Sequence, residues 1–128
     1  MISDIRVFLC DDDHLRFFGE GPCRLLHLIE ETGSLRAAAM SMGMAYTKAL
    51  AIMRRAEKNL GFPLTARRIG GKGGGGSVLT QKAKEFLHDY ETYRDACIQS
   101  SRELYTQIFS KYSRNNSGAD GAREFPGN

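Results

Sequence analysis

The chain has no apolar run approaching the roughly 20 residues of a membrane-spanning helix. Its opening stretch, MISDIRVFLC, carries no apolar segment followed by a small-residue cleavage site, so no secretory leader is expected. The expected location is the cytoplasm, with no membrane partner. Cysteine is scarce: Cys10, Cys23 and Cys97 are odd in number and far apart, with no C-x-x-C and no histidine partner at ligand spacing. That excludes a disulfide framework and leaves reduced thiols packed as small apolar residues. No metal site and no cofactor are expected. No internal repeat is present. No pair of carboxylates, nucleophile–base pair or metal cluster stands out, so an enzyme is the weakest reading. Net charge is also small, at +3.

What is present is enough for one soluble globular domain. At 128 residues, with 41% hydrophobic and 26% charged residues, the chain can bury a modest core. The small net charge hides an uneven distribution. Between Ala45 and Leu79 lie Lys48, Arg54, Arg55, Lys58, Arg67, Arg68 and Lys72, opposed only by Glu57, so the remainder of the chain is net acidic. A basic segment on a mildly acidic body points to a polyanionic partner.

Ile5–Cys10 and His14–Phe18 are short β-prone runs around Asp11-Asp12-Asp13, which reads as a hairpin with a solvated turn. Consecutive carboxylates in such a turn point apart, which argues against a metal site there. Pro22 stands where a first helix would begin, and Gly33 where it would end. His27 lies among that helix's leucines as a packed or half-exposed structural residue. Ser34 is a good N-cap for a short helix, Leu35–Met42, whose Ala37, Ala38 and Ala39 let a neighbour approach. After Gly43 a third helix runs from about Ala45 to Leu60. Ala49, Met53, Ala56 and Leu60 form its buried face, with Thr47, Lys48, Ala51, Arg54, Arg55 and Lys58 opposite. Helix, short helix, glycine turn and basic amphipathic helix is the signature of a helix-turn-helix.

Thr80 then caps a long helix carrying Ala83, Phe86, Tyr90, Tyr93, Cys97, Leu104 and Ile108, a stripe weakened around Ser100 and Ser101. So small a domain cannot cover all of it, and pairing with a second copy is the natural solution, through Phe86, Tyr90, Tyr93, Cys97, Leu104 and Ile108. The bland alternative is a helix that folds back on its own domain. The expected organisation is residues 1–80 as the helix-turn-helix with its N-terminal hairpin, 81–112 as a dimerisation helix, and 113–128 as a disordered tail.

The most unusual segment is Gly70–Gly76, glycine throughout except for Lys72. It satisfies G-x-G-x-x-G, but in a glycine run that match is nearly automatic. The dinucleotide fingerprint needs a helix opening directly within the loop, whereas Ser77–Thr80 is β-prone. The phosphate-binding P-loop needs Gly-Lys-Ser/Thr, and Gly71-Lys72 is followed by Gly73. A two-stranded wing explains more. Arg67 and Arg68 lie on the incoming strand, Lys72 at the tip, and glycine amides there can approach a sugar-phosphate backbone. The alternative is a merely flexible hairpin tip.

Over about Gly19 to Ala96 the chain resembles the N-terminal DNA-binding domain of the ModE family of molybdate-responsive regulators, related to LysR-type regulators. ARRIGGKGGGGSVLT (Ala66–Thr80) looks like that family's wing, and TGSLRAAAMSMGMAYTKAL (Thr32–Leu50) matches its helix, glycine turn and exposed Tyr46. The resemblance implies a mainly α chain with a small β component, a winged helix-turn-helix with a long C-terminal dimerisation helix. It implies a bacterial transcriptional regulator that binds double-stranded operator DNA as a homodimer. Tyr46, Thr47 and Lys48 would read base edges from the helix N-terminus. Arg54, Arg55, Ser34 and Arg36 would contact the backbone, and Arg67, Arg68, Lys72 and Gly73 would act from the wing. An arginine pair meeting Glu57 or packing internally is the alternative. At Ala45 the family usually has serine, so a capping oxygen is missing here. Molybdate binding belongs to a second region in that family, and direct molybdate sensing by this polypeptide is not expected. The reading from another class is a winged-helix protein-interaction module that does not bind DNA.

Overall fold

The structure, a computed structural model, describes residues 1–69 and 76–113. Their order is β1 (Leu9–Cys10), β2 (Arg16–Phe18), α1 (Glu20–Thr32), α2 (Leu35–Ser41), α3 (Tyr46–Leu60), β3 (Thr65–Arg67), β4 (Ser77–Leu79) and α4 (Gln81–Ser113). The chain is mainly helical, with two small antiparallel sheets, β1-β2 and β3-β4, and a long C-terminal helix. Two compact units divide it, one spanning Arg6–Thr92 and the other combining Met1–Ile5 with the chain from Tyr93 onward. Of the expected tail, residues 113–128, Ser113 is the last residue of α4, and residues 114–128 lie outside the described residues.

The first hairpin is shorter than the β-prone runs around it. Leu9 pairs with Phe18 and Cys10 with Arg16, with an irregularity between them. The reason is Asp11. Its Oδ1 accepts the amides of Asp13 (2.8 Å) and Leu15 (3.0 Å), and His14 takes a positive φ of 65°, so His14 and Leu15 are spent on the turn. The Leu15 amide, first among the causes, holds the Asp11 carboxyl below its ordinary value of 3.8. A lowered folded-state value means stabilisation that is complete above the unfolded value and lost as pH falls through the folded one. Asp11→Asn, which accepts the same hydrogen bonds without titrating, should therefore flatten the loss of stability below pH 3.8, read from urea midpoints against pH. An unchanged acid limb would remove Asp11 from the account.

The helix ends follow local chemistry. α1 starts at Glu20, two residues ahead of the expected Pro22, which is tolerated because first-turn amides have no intrahelical acceptor. It stops at Gly33, whose φ of 77° is left-handed and whose amide bonds the Ile29 carbonyl at 2.7 Å. Ser34 Oγ accepts the Ala37 amide at 2.9 Å, capping α2. Gly61, at φ 83°, closes α3 in the same way as Gly33 closes α1. Thr80 Oγ1 accepts the Ala83 amide at 3.1 Å and donates to the Pro63 carbonyl at 2.8 Å. One hydroxyl thus starts α4 and ties it to the loop after α3.

Within Arg6–Thr92 the core gathers Phe18, Leu25, Leu26, Ile29, Ala38, Ala39, Ala49, Met53, Ala56, Leu64, Leu79, Ala83, Leu87 and Tyr90. Phe18 is its aromatic centre, edge-on to Phe86 (4.8 Å between centroids) and Tyr90 (5.0 Å). The Tyr90 hydroxyl donates to the Val7 carbonyl at 2.9 Å, satisfying its one polar atom. At the first two positions of the expected pairing stripe the rings pack within their own unit. Tyr90 is 2% exposed, so its ring belongs to its own unit's core, and Phe86 packs half-buried against the same cluster.

In the other unit the Tyr105 hydroxyl donates to the Met1 carbonyl at 2.8 Å, and Tyr105 stacks on Phe109 at 5.5 Å. The Tyr93 hydroxyl is held above its ordinary pKa by hydrogen bonding with the Cys97 thiol. Tyr93, Leu104, Ile108, Phe109 and Tyr112 are all exposed there. Among the described residues, no helix is long and apolar enough to cross a membrane.

Candidate nucleic-acid interface

α3 is amphipathic in the strict sense. Ala49, Met53 and Ala56, at 4-3 spacing, are buried, whereas Thr47, Lys48, Ala51, Arg54, Arg55 and Lys58 are all exposed. Two alanines on the inner face allow α3 to lie close against α2, whose own Ala38 and Ala39 are buried. Large side chains in those positions would hold the basic face further from the α2 side. The connection is tight: Gly43 takes φ 67°, and the Met44 amide reaches back to the Ala39 carbonyl at 3.0 Å. Ala45 is the N-cap and supplies no side-chain hydrogen bond, as its methyl group requires. The first amides of α3 therefore have no side-chain acceptor at the cap, and the Lys48 amide bonds the Ala45 carbonyl at 3.1 Å.

Beside that helix start, the Arg36 guanidinium lies over the Tyr46 ring, 4.2 Å from its centroid. Two residues picked separately from the sequence are thereby one unit, a cation braced on an aromatic plane between α2 and α3. The Ser34 hydroxyl is occupied as an acceptor by its capping bond. Arg54 is exposed, while Arg55, one position on, turns aside: its Nε donates to the Arg16 carbonyl at 3.0 Å and ties α3 to β2. Glu57 is spent on the backbone, its Oε2 accepting the Leu64 amide at 2.8 Å.

β3 and β4 form an antiparallel hairpin with Thr65 opposite Leu79, Ala66 opposite Val78 and Arg67 opposite Ser77. Arg67 is exposed on it. Arg68 continues the ladder, its amide reaching the Gly76 carbonyl at 3.1 Å. Its guanidinium lies against Gly33 and Gly76: a Cβ built on Gly33 would stand 3.0 Å from Nη1 and Nη2, and one on Gly76 only 2.6 Å from Nη2. The Ser77 amide meanwhile donates to the Gly33 carbonyl at 2.7 Å. The base of the hairpin is thus fastened to the end of α1, with Arg68 lying over the joint. Nothing in local sequence signals this, because Gly33 and Arg68 meet only when α1 and β4 pack together. Lys72 and Gly73 lie outside the described residues.

A different cluster escaped the sequence reading. Cys23 and His27 do stand at ligand spacing, four residues apart on α1, and α4 brings Glu91 to both. His27 Nε2 is 2.7 Å from Glu91 Oε2, and the Cys23 thiol is 3.6 Å from the same oxygen. The i, i+4 spacing was the available signal; the third member is 64 residues from His27 and had none.

No family model matches the chain. Three relatives do match in sequence. The transcriptional regulator ModE of Haemophilus influenzae is 37% identical over 68 residues, which is 53% of this chain and 27% of that protein. The molybdenum-pterin-binding protein MopB of Rhodobacter capsulatus is 36% identical over 66 residues, 52% of this chain and 24% of the relative. The molybdenum transport protein ModE of Herbaspirillum seropedicae is 39% identical over 72 residues, 56% of this chain and 25% of the relative. The chain spans about a quarter of the length of these curated relatives. Over the half of the chain that they cover, the matches support a ModE-like family relationship.

Proposed function

We propose that this chain is a sequence-specific DNA-binding regulator of the ModE type, a winged helix-turn-helix with no enzymatic activity of its own. The observation that carries the reading is the exposed face of α3, where Thr47, Lys48, Arg54 and Lys58 share the solvent side of a helix whose other side is buried. In this reading α3 enters the major groove with Tyr46, Thr47 and Lys48 foremost, because the N-terminal end of a recognition helix contacts base edges. Arg54 and Arg36 meet phosphates, and the β3-β4 hairpin, with Arg67 on its strand, meets the neighbouring backbone; Lys72 and Gly73, outside the described residues, are assigned to the same contact from the sequence alone. Arg55 and Arg68 act mainly as ties that hold α3 and the hairpin in place. Tyr93, Leu104 and Ile108, each more than half exposed, support pairing of two copies through α4, with Cys97 beside them. A two-fold dimer would then read a pseudo-palindrome.

Fragments selected from genomic DNA by the purified protein test this directly. Arg54→Ala should weaken binding to all sequences alike and lower the salt slope by about one unit. Tyr46→Ala should instead erode discrimination between selected and random DNA, because it also frees Arg36 from its aromatic brace. Equal effects of the two variants on random and selected DNA would refute the division of roles. Failure to bind any duplex, at low and high salt alike, would turn the reading toward a protein-interaction module.

A further inference from the structure

We propose that Cys23, His27 and Glu91 form a binding site for a thiophilic divalent transition metal, of which Zn²⁺ is the best fit, fastening α1 to the first part of α4. A sulfur, an imidazole nitrogen and a carboxylate oxygen converge so that all three lie within 4.8 Å of one another. This is a donor set that selects zinc over magnesium or calcium, which take oxygen ligands. Tetrahedral zinc at ~2.3 Å from sulfur and ~2.0–2.1 Å from nitrogen and oxygen places the S···O pair about 3.5 Å apart and the N···O pair about 3.3 Å apart. The first separation is already met at 3.6 Å. The second, now 2.7 Å, has to open by about half an ångström, and the sulfur and the imidazole nitrogen, within 4.8 Å of each other, have to settle at about 3.6 Å, movements of the size that side-chain rotations supply.

The surroundings suit a held site with an entrance. On α1, the neighbouring Leu25, Leu26 and Ile29 are buried, and on α4 Tyr90 is locked beside Glu91 by its bond to the Val7 carbonyl. Cys23 is 3% exposed, whereas the His27 and Glu91 side chains are 44% and 30% exposed, so the metal would enter from their side. Three protein ligands leave a fourth position for water. On binding, the Cys23 thiol loses its proton to solvent, the thiolate coordinates, and the His27–Glu91 hydrogen bond gives way to two metal bonds. No electron is transferred. Because Cys23 and His27 belong to α1 and Glu91 to α4, occupancy would fasten the two helices to each other within the Arg6–Thr92 unit.

The test is titration of the reduced 128-residue chain with Co²⁺ as a spectroscopic stand-in, followed by displacement with Zn²⁺. The expected result is a one-to-one complex with thiolate-to-cobalt charge-transfer absorption and tetrahedral visible bands, both removed by Zn²⁺. Cys23→Ser should abolish the charge-transfer band, and the double variant Cys10→Ser/Cys97→Ser should retain it. Glu91→Gln, close in shape and only half-buried, should keep the fold and weaken Zn²⁺ affinity at least about tenfold. Absence of the band in the unaltered chain, or its survival in Cys23→Ser, would overturn the proposal. Should Cys23→Ser fail to fold, unaltered Zn²⁺ affinity in Glu91→Gln would overturn it on its own.

Discussion

Phe18→Ala should destabilise the Arg6–Thr92 unit by about 3–5 kcal/mol, the usual cost of emptying a buried aromatic site. Phe18 is 1% exposed and stands between the rings of Phe86 and Tyr90, so alanine would leave both edge contacts unmade and a hole between β2 and α4. Against a typical total of about 5–15 kcal/mol for a domain, such a loss is most of the margin. Urea denaturation should show a lower midpoint with an unchanged slope. Tyr90→Phe offers the calibrating comparison, since it keeps the ring and removes the hydroxyl that bonds the Val7 carbonyl, at about 1 kcal/mol for that bond. A loss from Phe18→Ala no larger than that of Tyr90→Phe would show that the aromatic trio does not organise the core.

Gly76→Ala should be the second large effect, and it should act on both stability and DNA binding. Gly76 holds φ at 144°, a region that side chains other than glycine's rarely enter. A Cβ there would come within 2.6 Å of Arg68 Nη2 and 2.8 Å of the Gly33 carbonyl oxygen. The guanidinium can swing away at little cost. The carbonyl cannot, because it belongs to the cap of α1 and already accepts the Ser77 amide. The hairpin base must therefore lift from α1, at about 1–3 kcal/mol for the backbone strain alone. Gly43→Ala makes the control: it shares a positive φ of 67° but faces open space, so strain of about 1 kcal/mol is all it should incur. If the proposed wing contacts DNA, Gly76→Ala should also lose affinity and part of its salt slope while Gly43→Ala loses less of the slope. Equal melting temperatures for the two variants would contradict the tight joint between Gly33 and Gly76.

Most element boundaries were readable because their signals are local. The Ser34 cap, the left-handed Gly33 and Gly61, and the Thr80 cap each involve a residue and a backbone group within four positions. The basic face of α3 was equally legible, since a period of 3.6 residues assigns each side chain to a side of the helix whatever lies nearby. The first hairpin is shorter than its β-prone runs because β-propensity says nothing of an aspartate that takes the following amides into a turn.

Periodicity determines that a helix has an apolar stripe, but not what covers it. In α4 the stripe runs on either side of Ser100 and Ser101, yet Tyr90 is spent on Phe18 and Val7 while Tyr93, Leu104 and Ile108 stay exposed. The same limit applies to charge. The basic residues were visible by type and spacing, but only packing made Arg55 a tie to Arg16, laid Arg68 over the Gly33–Gly76 joint and set Arg36 on Tyr46. The Cys23–His27–Glu91 cluster joins residues 64 and 68 positions apart across two helices. By itself the sequence determined the helices, their caps and the basic face, because those depend on neighbours along the chain. The tertiary structure alone decided what each arginine lies against and which side chains share a site, because those depend on neighbours in space.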